Sequence, residues 1–501
     1  MEELARNIQS QNYYLDEVDS TSFITTIPIH LWYENTSNVP ADKFLAPEML
    51  KASFFKALEE FPILVGHLKS DAEWKTYIEV DKNNLNAPEY SDTQSEVHFQ
   101  TIRDAGFNTN MLPSTFIEAR VVPVPPTLVG TSIKNIRAHV VRFKENSGAV
   151  VFVMAAHNVF NGYGFHCFVS RWAEIARWMQ NSAADGSSAV LPRRSFVHDR
   201  SIVREIRSSE TDALDSSLRA TMLCSDPMAR VVGWFSPNVR AMMIRYSGVT
   251  TDFINCSFHI PADAIEALQR EAQEFAPPDI PRYTKNDVLV SLISLAIAQC
   301  TAWDKHEGKS ALVSTLNRLL LNRFLAGPSE FTTLLPVDMR AHIGSLKGVA
   351  YTGNTTFQKG FAASRDLFRM EPSARLVAEL ATRVHRSVAT LSERAAHQYF
   401  GILNRQPYGH LQYVLHQVKL RNMMYIANNT RSAFHAIDFG AGAPALARAP
   451  AHGFPNLVII LPGHPSVGGY EASFTLCREV AERIVRHKYW MSFVDKHDID
   501  V

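Results

Sequence analysis

The chain has 501 residues, 46% apolar and 20% charged, with Lys+Arg and Asp+Glu matched at 50 each. That is a globular composition, without the charge excess or apolar poverty of a disordered chain, and its length suits two large domains or three smaller ones. A chain with no net charge offers no basic field to a polyanion, so nucleic acid is not an expected partner.

The first residues, Met-Glu-Glu-Leu-Ala-Arg, carry acid and lack the apolar stretch of a signal peptide. Pro47 suits the first turn of a helix, Leu50, Phe54, Ala57, Leu58 and Phe61 follow at helical spacing, and Pro62 ends the element. Residues 136–143 read as a strand, Glu145-Asn146-Ser147-Gly148 as a turn, and Ala149 to Ala156 as a buried strand. A short loop, His157-Asn158-Val159-Phe160-Asn161-Gly162, leads into a helix. Its apolar face carries Phe165, Phe168, Val169, Trp172, Ile175, Ala176 and Met179. The small polar residues Asn181 to Ser188 read as the start of a surface linker, and 181–235 as the region of the domain crossover.

In the second half a strand is expected near 253–260, a helix from Pro261, and another helix capped by Thr284 with Asp287 three residues on. The apolar run Val288 to Trp303 is short and interrupted for a membrane span, so it reads as a buried core helix. Leu457 to Leu461 and Tyr470 to Leu476 flank Gly468-Gly469 as a hairpin, and a closing helix covers about 477–492. There is no repeat and no low-complexity block. Strands and helices alternate in both halves, which gives two α/β layered domains. The expected boundaries are 1–200, a linker at 201–235, and 236–501. With no targeting signal at either end, a soluble cytoplasmic protein with reduced thiols is expected.

His157 is the sharpest chemical feature. It sits between a buried strand and a helix, where a short loop can present a neutral imidazole as a general base. A core histidine bonded to a backbone group fits the same position, and both readings stand on position alone. Metal chemistry has little support. The 19 histidines and 5 cysteines (Cys167, Cys224, Cys256, Cys300, Cys477) form no H-E-x-x-H motif, paired-cysteine site or disulfide framework. No G-x-S-x-G elbow, phosphate loop or G-x-G-x-x-G turn is present. Asp438-Phe439-Gly440-Ala441-Gly442-Ala443-Pro444 reads as a turn-rich structural loop.

Taken together, these residues resemble the BAHD acyltransferase superfamily of acyl-CoA-dependent enzymes, whose signatures are H-x-x-x-D-G and D-F-G-W-G. Here they read H-N-V-F-N-G (157–162) and D-F-G-A-G (438–442). Leu15-Asp16, the segment Leu50 to Leu68, Asp199-Arg200, Val337-Asp338-Met339-Arg340 and Tyr351-Thr352-Gly353-Asn354 are similar to further family marks in the same order.

The resemblance implies two chloramphenicol-acetyltransferase-like domains, mixed sheets flanked by helices, with a central solvent channel. It makes His157 the catalytic base. Asn161, Gly162, Arg340, Asp438, Phe439, Gly440 and Gly442 become architectural. Asn428, Asn429 and Thr430 lie where the family contacts the thioester and pantetheine arm, although an ordinary polar strand end would also use such residues. Two departures stand out: Asn161 replaces the family aspartate and Ala441 the tryptophan. By resemblance Arg340 pairs with position 161, and an amide there supplies no charge, so Arg340 needs another anion or solvent.

The implied reaction is direct transfer of an acyl group, acetyl first among them, from acyl-CoA to a hydroxyl or amine of a small molecule. The signatures are closest to those of fungal secondary-metabolite enzymes. No permanent cofactor, no metal, no nucleic acid, no membrane span and a monomeric chain go with this. The rivals are transfer from a carrier-protein thioester, as in condensation-type domains, and a non-catalytic binding homologue. Cys167, on the helix after His157, reads as a core thiol.

Overall fold

A computed structural model describes residues 1–16, 18–19, 26–72, 75–113, 134–185, 190–206, 253–301, 330–405, 423–450 and 456–500. Most of the expected crossover, together with Cys224 and Trp303, lies outside them. The strands in chain order are β1 (Gln11–Tyr14), β2 (Thr26–Glu34), β3 (His67–Ser70), β4 (Thr76–Val80), β5 (Glu89–Gln94), β6 (Ile136–Arg142) and β7 (Gly148–Ala156). They continue with β8 (Phe253–Ile260), β9 (Glu330–Asp338), β10 (Thr356–Ser364), β11 (Met423–Asn428), β12 (Leu446–Arg448), β13 (Leu457–Pro462), β14 (Tyr470–Cys477) and β15 (Lys496–Asp500).

The first half is built on a mixed five-stranded sheet of order β12-β2-β7-β6-β5. β7 is central, antiparallel to β2 and β6, and buried along nearly all its length, which is why its sequence is an unbroken apolar run. Glu145 (φ 58°) and Asn146 (φ 54°) supply the left-handed turn that joins β6 to β7. A small antiparallel sheet, β1-β4-β3, lies beside this one.

The helix Pro47–Leu58 packs along the helix Gly162–Asp185. The Trp172 indole N–H donates to the Leu50 carbonyl at 3.0 Å, and its ring meets Phe54 edge-on at 5.1 Å. Every residue of the expected apolar face is buried, with Met179 packed at its margin. The helix runs on to Asp185, so residues 181–185 do not begin a linker. Once a helix is nucleated each further residue needs only one more hydrogen bond, and Ala183 and Ala184 extend it readily.

The second half carries a seven-stranded mixed sheet, β10-β9-β11-β13-β14-β8-β15, covered by the helices Ala262–Gln273, Lys285–Cys300 and Ala374–Ala389. Thr284 caps Lys285–Cys300 reciprocally with Asp287, and residues 287–298 of that helix are all buried. No helix among the described residues is long and apolar enough to cross a membrane. β13 and β14 form the expected hairpin, with Gly468 and Gly469 at φ 74° and 76°.

The closing helix is broken in two, Arg478–Ile484 and Lys488–Met491. His487 interrupts it by capping the second piece, its Nδ1 accepting from the Trp490 N–H at 3.1 Å. The chain then adds β15 at the sheet edge, paired with β8. Its sequence, Lys-His-Asp-Ile-Asp, has too little apolar character to announce a strand.

A strand pairing also crosses between the halves. β12, deep in the second half of the chain, pairs with β2 in the first sheet, Leu446 opposite Trp32.

Candidate active site

β7 ends at Ala156, and residues 157–161 turn the chain into the helix Gly162–Asp185. Asn158, Val159, Phe160 and Asn161 are buried, while His157 is partly exposed. The His157 Nδ1 is sealed from solvent and bonds no other side chain; the backbone groups that reach the ring belong to its own turn. Burial holds the imidazole pKa below its ordinary value; the backbone at His157, the Asp19 carboxylate and the backbone at Phe160 act the other way. His157 is therefore neutral at neutral pH, the state a base requires.

Asn161 performs two tasks with one atom. Its Oδ1 accepts from the main-chain N–H groups of Tyr163 (3.1 Å) and Gly164 (3.2 Å), which caps the helix, and from Arg340 Nη2 at 3.0 Å. Asn and Asp are equally good caps, so the cap asks for no charge. The anion for Arg340 comes from Asp338, whose Oδ2 stands 2.5 Å from Nη1. The rest of the guanidinium donates to the carbonyls of Tyr351 (2.9 Å) and Gly353, and lies 4.4 Å from the Tyr163 ring centre. The buried arginine is fully engaged.

Three of the minor sequence marks meet beneath the same turn. Arg200 pairs with Asp19 at 2.9 Å, both fully buried, and donates to the Val159 carbonyl. Asn354 donates to the His157 carbonyl at 2.8 Å and to Asp19. Asp16 Oδ1 accepts from the Asp19 N–H at 2.8 Å; burial first, then the Asp19 charge, pushes the Asp16 carboxyl well above the usual carboxylate range.

A strap completes the frame. Val197 bridges Tyr351, and His198 bonds Thr352 Oγ1 and the Glu60 carbonyl, each at 2.8 Å. The helix start fits against it only because residue 164 is glycine: a Cβ there would run into the Thr352 carbonyl. Asp19, which anchors this network, was not among the sequence candidates. Its only signal was its place three residues after Asp16.

The second signature lies elsewhere. Asp438 Oδ1 accepts from the Gly440 and Gly442 N–H groups at 2.7 and 2.8 Å, and Oδ2 faces Arg177 at 3.5 Å. Gly440 (φ 100°) and Gly442 (φ 84°) adopt backbone that favours glycine. Phe439 packs on Trp172 at 4.7 Å, and the Tyr33 hydroxyl donates to the Ile437 carbonyl at 2.7 Å. Arg177 is about 22 Å along the helix from its N-terminus, so this loop staples the segment leading to β12 onto the first core, far from His157.

Of the three residues at 428–430, Asn428 is occupied locally: Oδ1 accepts from the Thr430 N–H at 3.0 Å and Nδ2 donates to Asn286 at 2.6 Å. The Asn429 side chain is the one that lies against Gly162. Cys167 is partly buried, and burial raises its thiol pKa. No group of three or more His, Cys, Asp or Glu side chains among the described residues is placed to hold a metal ion.

The model of the Transferase family matches residues 4–230, the part of the chain that carries the His157 turn. No curated protein matches the sequence. Among solved structures, TRI101 of F. graminearum with coenzyme A and T-2 mycotoxin superposes with a TM-score of 0.66 at 14% identity, covering 98% of this chain and 100% of that one. Vinorine synthase gives 0.61 at 13% identity, covering 96% and 94%. The first condensation domain of the CDA synthetase gives 0.53 at 13%, covering 95% of each. These likenesses establish a shared two-domain fold.

Proposed function

We propose that this chain, an acyl-transferring enzyme with the Transferase-family pattern over residues 4–230, moves an acyl group, acetyl first among them, from acyl-CoA to a hydroxyl of a small secondary metabolite. His157 is the general base. It takes the acceptor's proton as the acceptor oxygen attacks the thioester carbonyl, and the CoA thiolate leaves. Both substrates are bound together and no acyl-enzyme forms.

The observation that carries this reading is a partly exposed imidazole, its pKa lowered by burial, on a turn gripped from both halves of the chain. General-base action is worth roughly 10²–10⁴ in rate and one oxyanion donor about 10²–10³. Asn429, beside Gly162, is the candidate for that donor. Alignment of the two substrates contributes up to ~7–11 kcal/mol, the largest share. The structural neighbours crystallised with coenzyme A and with T-2 mycotoxin or deoxynivalenol support a donor acyl group carried on CoA, not on a carrier protein, and a small-molecule acceptor. The protein acts as a cytoplasmic monomer without a bound cofactor or metal.

The likeness to a condensation domain supports a second reading, in which the thioester arrives on a carrier protein. Purified protein is incubated with acetyl-CoA and a panel of hydroxylated terpenoids and polyketides, and free thiol is followed. Acceptor-dependent CoA release with intersecting initial-velocity lines is expected. Release only from an acetylated carrier protein favours the second reading. Parallel lines exclude the ternary complex, and silence with every acceptor leaves a binding protein.

A further inference from the structure

We infer that Asn354 is a positioning residue for His157: its carboxamide holds the His157 carbonyl and the Asp19 carboxylate at once, and so fixes where the imidazole stands. The inference rests on His157 being the base.

A catalytic imidazole is usually oriented through the nitrogen that does not react, by a carboxylate or a carbonyl. Here that nitrogen, Nδ1, is sealed from solvent and bonds no other side chain, and the backbone groups that reach the ring, at His157 and Phe160, belong to the turn itself. The ring's direction must therefore come from the main chain that carries it. Two carbonyls of the turn are held by side chains, those of His157 and Val159. Asn354 Nδ2 donates one hydrogen to His157 at 2.8 Å and the other to Asp19 Oδ1 at 2.5 Å, while its main-chain N–H reaches the same Oδ1 at 3.1 Å. The other Asp19 oxygen, Oδ2, accepts from Arg200 Nε at 2.9 Å, and Arg200 Nη2 holds Val159. The grip thus joins residues 19, 200 and 354 to one turn. Without Asn354 the His157 carbonyl loses its tie to the ion pair, while Val159 keeps its own.

The form of the side chain argues the same way. Asn354 is fully buried, yet its Oδ1 has no hydrogen-bond partner. A buried orphan oxygen opposes folding, and packing alone would be better served by an apolar residue. What position 354 requires is the two N–H donors.

The test compares wild type, Asn354→Ala and Asn354→Ser, each checked for native circular dichroism and cooperative melting. Serine keeps one donor and covers the case in which alanine does not fold. A displacement of about 1 Å at a reacting group costs about 10²-fold in rate. The expected result is a kcat lower by about 10²-fold in the alanine variant and by less in serine. KM for acetyl-CoA and for the acceptor should stay within threefold. A second measurement needs no acceptor: the rate at which bromoacetyl-CoA alkylates the imidazole, at saturating reagent, falls in the same order while its affinity holds.

A folded variant with kcat within threefold of wild type overturns the inference. So does a parallel loss of kcat and acetyl-CoA affinity, which would mark general collapse of the site. If wild type itself neither turns over acetyl-CoA nor is alkylated at His157, the acyltransferase reading falls and takes the inference with it. The two failures are therefore distinguishable.

Discussion

Asn161 is the residue on which a charge-based view and a geometric view of the first signature part company. Asn161→Asp keeps the shape and all three accepted hydrogen bonds, from Tyr163, Gly164 and Arg340. As a helix cap the two residues are equivalent. The new charge would stand 3.0 Å from a guanidinium that Asp338 already neutralises. With the charge centres about 4 Å apart the attraction is about 4 kcal/mol at the effective dielectric of such sites, reduced by repulsion from Asp338, with ~0.3–1 kcal/mol more from the helix dipole. Against it stands the cost of burying a carboxylate, several kcal/mol. Attraction and burial oppose each other, so stability should change little, and because position 161 is held by the helix start and Arg340 and not by a reacting group, kcat/KM should change less than about tenfold. Asn161→Ala is different. It loses a cap worth ~1 kcal/mol and a hydrogen bond to a charged group worth ~1.5–3 kcal/mol. Because Asp338 still balances Arg340, the loss should stop near 3 kcal/mol, read as a lower urea midpoint at constant m-value. Thiol release from acetyl-CoA with an accepted alcohol gives the rates. A gain of several hundredfold in Asn161→Asp would refute this account, because it would mean that charge at position 161 acts on the reacting atoms.

Three further outcomes follow from the same geometry. His157→Ala should lower kcat by roughly 10²–10⁴ while calorimetry finds acetyl-CoA affinity unchanged; in wild type, kcat/KM should fall as pH drops through a value below 6.5, because the imidazole pKa is lowered and only its neutral form accepts a proton. His198, buried between Thr352 and Glu60, has its pKa lowered from 6.5 to about 4, chiefly by burial. The unfolded chain then binds a proton that the folded chain refuses, so stability is whole above pH 6.5 and is lost as pH falls towards 4, by about 2 kcal/mol at pH 5. Urea titrations of wild type and His198→Gln at pH 7.5 and 5 should show a loss larger by about that amount in wild type, the other histidines with lowered pKa contributing equally to both. Gly164→Ala drives a methyl group into the Thr352 carbonyl, so it should cost ~1–3 kcal/mol by overpacking and slow turnover as well, whereas Ser170→Ala, six residues along the same helix, should change kcat less than about threefold.

Much of the architecture could be read from apolar periodicity, because burial dictates it. β7 is legible because both its faces are covered, and the helix Gly162–Asp185 because one face meets Pro47–Leu58. The reciprocal cap of Thr284 and Asp287 is legible because it closes within four residues. Elements that depend on distant chain were not. β15 forms because β8 offers an open edge, and nothing local in Lys-His-Asp-Ile-Asp says so. The break at His487 comes from a histidine acting as a cap, a role its type does not advertise. At the site, His157, Asn161 and Arg340 were visible as motif positions. Asp19 was not, since a lone acid near the N-terminus has no pattern until Arg200 and Asn354 arrive from elsewhere.

The same fact bears on why the turn belongs to neither half alone. Its strand and helix come from the first half, and each of its tethers ends on a distant segment: Arg340 on Asn161, Asn354 on His157, and Arg200 on Val159. The second signature, about 22 Å away along the helix, then has a physical task without touching substrate. By fastening 437–442 to Trp172 and Tyr33 and leading β12 into the first sheet, it limits how far the second half can shift against the first. If His157 is the base proposed above, it needs such restraint, because any relative motion of the halves is carried by Arg340 and Asn354 into the turn. The tryptophan missing at position 441 is tolerable on this view: Ala441 still packs against the first core, and Asp438 ties the loop through the Gly440 and Gly442 N–H groups, which no side chain at 441 supplies.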